Sequence, residues 1–158
     1  MSDTKVGTRK ATAVLREDHR KVKKLFSEYE ALEKGDGNKK GELFETIKQE
    51  LTVHAQLEEE FFYPAMQEVD DEDTEELVLE AHEEHKVVKT LLAELSEMTP
   101  QDGTFDAKMK VLMESVKHHA QEEEEEMFPD FDELPKERQD EVLEQLRARK
   151  SELTGEQP

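Results

Sequence analysis

The stretch His54-Ala-Gln-Leu-Glu58-Glu-Glu-Phe-Phe-Tyr-Pro64 recurs as His119-Ala-Gln-Glu-Glu123-Glu-Glu-Glu-Met-Phe-Pro129, with His, Ala, Gln, Glu and Pro in the same order and no gap. On a helix of about 3.6 residues per turn, positions four apart differ by roughly 40° and about 6 Å of rise, so His54 and Glu58 point the same way, as do His119 and Glu123. The correspondence extends upstream, where Asp18-His19-Arg-Lys-Val-Lys-Lys-Leu-Phe-Ser-Glu28 aligns with Glu84-His85-Lys-Val-Val-Lys-Thr-Leu-Leu-Ala-Glu94. Each half thus carries one early His and, further on, a His-x-x-x-Glu pair. Such a chain reads as a duplicated helical hairpin.

Periodicity supplies the helices. Leu15, His19, Val22, Phe26 and Tyr29 recur at spacings of three and four among charged residues and predict a first helix over about Lys10 to Glu33. Three glycines between Gly35 and Gly41 predict a loop over Lys34 to Gly41. Leu43, Ile47, Leu51, His54, Glu58, Phe61, Phe62 and Ala65 mark the inner stripe of a second helix, which Pro64 should kink or end because proline has no N–H to donate. Asp70 to Asp73 closes the first hairpin; Val78, His82, His85, Val88, Leu92 and Leu95 mark the third helix. After a break at Thr99 to Gly103, Phe105, Met109, Leu112, Val116, His119, Glu123 and Met127 mark the fourth, where Pro129 repeats the event at Pro64. Leu134-Pro135 restarts a short amphipathic helix whose Val142, Leu143 and Leu146 are available for docking, ahead of a polar tail. The expected fold is all-α: an antiparallel up-and-down four-helix bundle with a short additional C-terminal helix. Residues 1–9 are expected to be a flexible N-terminus, 10–130 the bundle, and 131–158 the extra helix and tail.

Composition narrows the function. The chain has 158 residues, 34% of them apolar, enough for one domain with a real core. A net charge of −20 repels phosphate backbones and anionic headgroups, so neither nucleic acid nor a membrane is expected as a partner. With no Cys, thiolate ligands, disulfides and iron–sulfur clusters are excluded. No apolar leader segment stands at the start, and a cytoplasmic location is the expectation.

His19, His54, Glu58, His85, His119 and Glu123 fall on stripes otherwise held by Leu, Ile, Val, Phe and Met, and so should face inward. An unpaired buried imidazole costs about 1–3 kcal/mol and an unpaired buried carboxylate several, a burden comparable with a domain's whole stability. A dinuclear metal centre satisfies all six; the competing reading is a layer of His⁺ and Glu⁻ pairs that fixes helix register without metal. His82 lies on the same face as His85 and is a candidate seventh ligand, an orienting neighbour, or an interface residue. His118 is turned about 100° from His119 and is left out. Of Glu122 to Glu126 only Glu123 should point inward. Tyr63 reads as a core aromatic that could touch the site. The glycine-rich loop lacks the Lys-Ser or Lys-Thr of a phosphate loop and reads as a turn.

Imidazoles mixed with carboxylates suit iron or manganese, with zinc as a further alternative. Ferritin-like bundles use Glu-x-x-His, and no His here has Glu three positions before it. The series His19, His54-x-x-x-Glu58, His85, His119-x-x-x-Glu123 resembles the hemerythrin-like, or HHE cation-binding, family over about Leu15 to Pro129, including its Tyr63-Pro64 and Phe128-Pro129 ends. The resemblance implies two iron ions with oxo or hydroxo bridges: His19 and His54 on one, His85 and His119 on the other, Glu58 and Glu123 bridging. It departs from the oxygen carriers, which resemble His-x-x-x-His on the third helix where this chain has His82-Glu-Glu-His85, and so looks closer to the broader branch associated with O2, nitric oxide or peroxide reactions, iron handling and stress responses. The expected function is binding or reaction with a small diatomic or peroxide ligand. The alternatives are an iron- or oxygen-responsive sensor or reservoir without turnover, and a metal-free helical interaction module; the sequence names no protein partner.

Overall fold

The computed structural model describes residues 9–33 and 35–156. The flexible terminus expected over residues 1–9 therefore lies, Arg9 apart, outside the described residues. Helix α1 spans Ala11–Glu30 and α2 Gly37–Leu57. A π-helical turn, Glu58–Phe62, and a short α3, Tyr63–Met66, extend α2. Helix α4 spans Glu72–Ser96 and α5 Phe105–Glu122; a second π-helical turn, Glu123–Met127, and α6, Phe128–Phe131, extend α5. Helix α7 spans Lys136–Thr154. No strand occurs among the described residues.

The four long helices form the expected bundle. Helix α1 lies along α2 and α4 along α5, each pair joined by a short turn and hence antiparallel, while α1 with α5 and α2 with α4 close the ring. The first connection is shorter than the glycines suggest. Helix α2 starts at Gly37 rather than after Gly41, because Lys40 already bonds back to the Asp36 carbonyl and its ammonium is buried against Asp106 at 3.0 Å. At the second connection the Asp71 side chain caps α4 by accepting from the Asp73 N–H at 3.1 Å. The additional helix α7 is 19 residues long and lays Val142, Leu143 and Leu146 against α1, α2 and the first π-turn. Gly155, at φ 77°, ends it in the left-handed conformation that glycine adopts without strain. No helix among the described residues is long and apolar enough to cross a membrane.

Two apolar clusters fill the bundle. One gathers Leu15, Leu57, Phe62, Tyr63, Met66, Phe128, Phe131 and the α7 residues; the other, towards the hairpin turns, gathers Val22, Phe26, Phe44, Ile47, Leu51, Leu92, Leu95, Phe105 and Met109. Between them lies a layer of buried polar side chains: His19, His54, Glu58, His85, His119 and Glu123.

Candidate metal centre

Each long helix contributes one imidazole to this layer, and each π-turn begins on a carboxylate. The N–H of Tyr63 reaches back five residues to the Glu58 carbonyl, and that of Phe128 to the Glu123 carbonyl. Pro64 and Pro129 follow, each without the N–H that an unbroken α-helix would use. The wider turn absorbs this defect, so the helix runs to Met66 rather than stopping at the proline. It also turns Tyr63, instead of Phe61, into the core, where Tyr63 is fully buried and Phe61 is not.

The inward donors form two groups. His19, His54, Glu58 and Glu123 make one, and Glu58, His85, His119 and Glu123 the other; within each, one donor atom per residue lies within 4.8 Å of all the rest. Both carboxylates belong to both groups. Glu58 turns Oε2 to His54 at 3.2 Å and Oε1 to His85 at 3.0 Å, while Glu123 turns Oε1 to His19 at 3.2 Å and Oε2 to His119 at 3.1 Å. Every imidazole presents Nε2 inward, and every Nδ1 meets a second carboxylate: His19 meets Glu124 at 2.7 Å, His54 Asp18 at 3.0 Å, His85 Glu59 at 2.7 Å and His119 Glu84 at 2.5 Å. A carboxylate at Nδ1 holds the proton there and leaves Nε2 with a lone pair.

The protein alone does not satisfy this layer. His19 Nε2, His54 Nε2, Glu58 Oε2 and Glu123 Oε1 are buried with no hydrogen-bond partner. Their 3.2 Å pair distances are short, but the angles are wrong, as befits atoms aimed at a common point rather than at one another. Four such orphans would cost about 1–3 kcal/mol each, which one cation relieves. The donor set fits a metal ion.

The second group is closed by Tyr63, which the sequence offers as a core aromatic that could touch the site. The Tyr63 hydroxyl donates to Glu123 Oε2 at 2.5 Å, stands 3.2 Å from Glu58 Oε1, and lies 3.1 Å from both His85 Nε2 and His119 Nε2. Burial, with Glu58 and Glu123 close by, pushes its pKa well above the usual phenol value. Without a cation the ionised carboxylates act as the counter-charge. Burial works against a charged His54, but Glu58 and Asp18 outweigh it and raise its pKa well above the ordinary imidazole value; His85 and His119 rise for similar reasons. Glu58 is driven well below the usual carboxylate range, its burial outweighed by His54, His119 and His85.

His82 is not brought into either group. It is only half-buried, and its ring stands edge-on to Tyr63 with centroids 5.1 Å apart, because three residues of helix turn it about 60° from His85. Asp18, Glu59, Glu84 and Glu124 are the residues that reading the stripes alone passes over. The repeat held their signal: an acid precedes both early histidines, and another follows both Glu58 and Glu123.

The hemerythrin HHE cation-binding domain model matches residues 10–131. The chain belongs to this family. A DNA nickase from Nostoc sp. (strain PCC 7120 / SAG 25.82 / UTEX 2576) is 34% identical over 116 residues, which are 73% of this chain and 31% of that protein. The chain thus spans about a third of the length of the curated relative it matches. In fold it resembles the crystal structure of a hemerythrin HHE cation-binding domain-containing protein from Mycobacterium kansasii, with a TM-score of 0.80 at 24% identity over 94% of this chain and 89% of that one.

Proposed function

We propose that this HHE domain holds two iron ions and uses them to bind or transform a small oxidant: O2, peroxide or nitric oxide. The observation that carries the reading is the sharing of both carboxylates between two imidazole pairs, which makes a cradle for two ions rather than one. His19 and His54 would hold the first ion, His85 and His119 the second, and Glu58 and Glu123 would bridge them. Such a pair supplies two electrons and an acidic binding position for an oxygen ligand.

The remaining chemistry belongs to the protein. Asp18, Glu59, Glu84 and Glu124 fix each imidazole with Nε2 inward. Tyr63 offers an oxygen and a proton at the second pair, where it already donates to Glu123. Phe128, stacked on His19 with centroids 5.8 Å apart, and Phe62 beside it keep water from the first pair. DNA nicking is the property of a much longer relative; the net charge of −20 opposes duplex binding by this chain, and nicking is not part of the proposal.

The test is to load the protein anaerobically with Fe2+ and mix it separately with O2, hydrogen peroxide and nitric oxide. The proposal expects at least one to change the optical spectrum within the mixing time or to be consumed. Inertness of a fully loaded protein to all three would leave the sensor or reservoir reading in its place.

A further inference from the structure

Next to the imidazole layer, on the side of the hairpin turns, the bundle is not filled. A cavity of about 190 Å³ lies there, with His19, His54, His85 and His119 along one wall. Its sides are laid down by the same spacing that builds the site. Val22, Leu51, Val88 and Val116 each stand three residues from a donor histidine, Val22 and Val88 after theirs and Leu51 and Val116 before, and all four line the cavity. Three of the four are valines, too short to meet across the bundle axis. Leu92 lies seven residues beyond His85, about 10 Å along the helix, and lines the cavity as well.

An apolar cavity of about 150 Å³ stays dry and accepts a benzene-sized guest, whereas a water molecule accounts for only about 30 Å³. A diatomic or hydrogen peroxide would therefore leave most of this space void. The cavity fits a hydrocarbon group of about six carbons. Lysines stand at its mouth. Lys23 of α1 and Lys117 of α5 line both the cavity and a neighbouring shallow depression, whose other walls are Gln121, Glu124 and Glu125, so they flank the seam between those helices. Lys117 reaches Glu30 only at 3.9 Å; Lys89, at the other side, is held by Glu59 at 2.9 Å. On a chain of net charge −20 this pair of lysines is a local attractor for an anion.

We propose that this cavity binds a short alkyl carboxylate of about six carbons, with the hydrocarbon against Val22, Val88 and Val116 and the carboxylate between Lys23 and Lys117. Binding needs no metal, so it stands or falls separately from the redox reading above. Its consequence for that reading is competition: an occupant covers the imidazole edges and closes this side to a small oxidant.

The experiment titrates hexanoate and 1-hexanol into metal-free and Zn2+-loaded protein and follows valine and leucine methyl signals by NMR. Both ligands should shift Val22, Val88 and Val116, and the same methyls should respond to ligand in the two protein forms. Lys23→Glu with Lys117→Glu should weaken hexanoate at least about tenfold and leave hexanol within about twofold. Val116→Phe should abolish both; Val88→Phe, from another helix, should do the same, and circular dichroism identifies whichever variant stays folded. Unshifted methyls, undiminished binding by a folded cavity-filling variant, or hexanoate binding seen only with Zn2+ present would overturn the proposal.

Discussion

Glu58 and Glu123 decide how the centre behaves, because each gives one oxygen to either imidazole pair. Replacing a shared ligand should therefore cost more ions than replacing a terminal one. For Glu58→Ala, metal analysis after equilibrium dialysis should find both positions depleted, whereas His85→Ala should keep the ion held by His19 and His54. Tyr63→Phe removes an oxygen from one group only, so affinity at the His85 and His119 position should fall about tenfold while the other stays unchanged. Protons compete with the metal here. His54 and His85 are raised above the free value of about 6.5, so in the metal-free protein their contribution to stability is complete below that pH and lost as pH rises through the folded values. Glu58 is depressed, so its contribution is present above about 4.5 and lost as pH falls through its folded value. A cation needs the imidazoles deprotonated, so its affinity should rise with pH and binding should release protons, measurable by calorimetry in buffers of different ionisation enthalpy. Affinity that fell on raising the pH from 6 to 8 would contradict this.

Among the elements, the helices were legible in the sequence and the π-turns were not. Leu15, His19, Val22, Phe26 and Tyr29 fall on the buried face of α1 because a regular helix repeats faithfully. A π-turn adds one residue to a single turn, which shifts the stripe without breaking it. The pattern then points to Phe61 and Phe62, while the structure buries Phe62 and Tyr63, and the only trace is a proline six residues after Glu58 and Glu123. The six inward donors could be read from their stripes, but partners from other helices, such as Asp18 for His54, depend on packing that periodicity does not contain. Helix α7 adds an element outside the repeat. Its Lys150 reaches Asp18 at 2.8 Å, and Asp18 holds His54, so the extra helix is tied to the group of His19 and His54. Lys150→Met should weaken metal binding there about tenfold, with Lys150→Arg closer to the parent, as equilibrium dialysis of the two variants would show. Leu146 is fully buried under the same helix, and Leu146→Ala should cost about 2–5 kcal/mol in denaturant unfolding.

In the molecule as a whole, two apolar clusters are separated by a layer that the chain alone leaves partly unsatisfied. Metal binding should therefore stabilise the entire bundle. At a hundredfold over Kd, one site adds about 2.7 kcal/mol, which for a chain of this size raises the melting temperature by roughly 5–10 °C. A chelator should reverse the gain. On the proposed reading the twofold arrangement calls for two ions, since each half brings its own imidazoles and lends its carboxylate to the other. The most direct measurement is the metal content of protein reconstituted with Fe2+ and passed through a desalting column. Two irons per chain is the predicted result. A folded protein retaining none, or never more than one, would contradict the shared cradle on which this account rests.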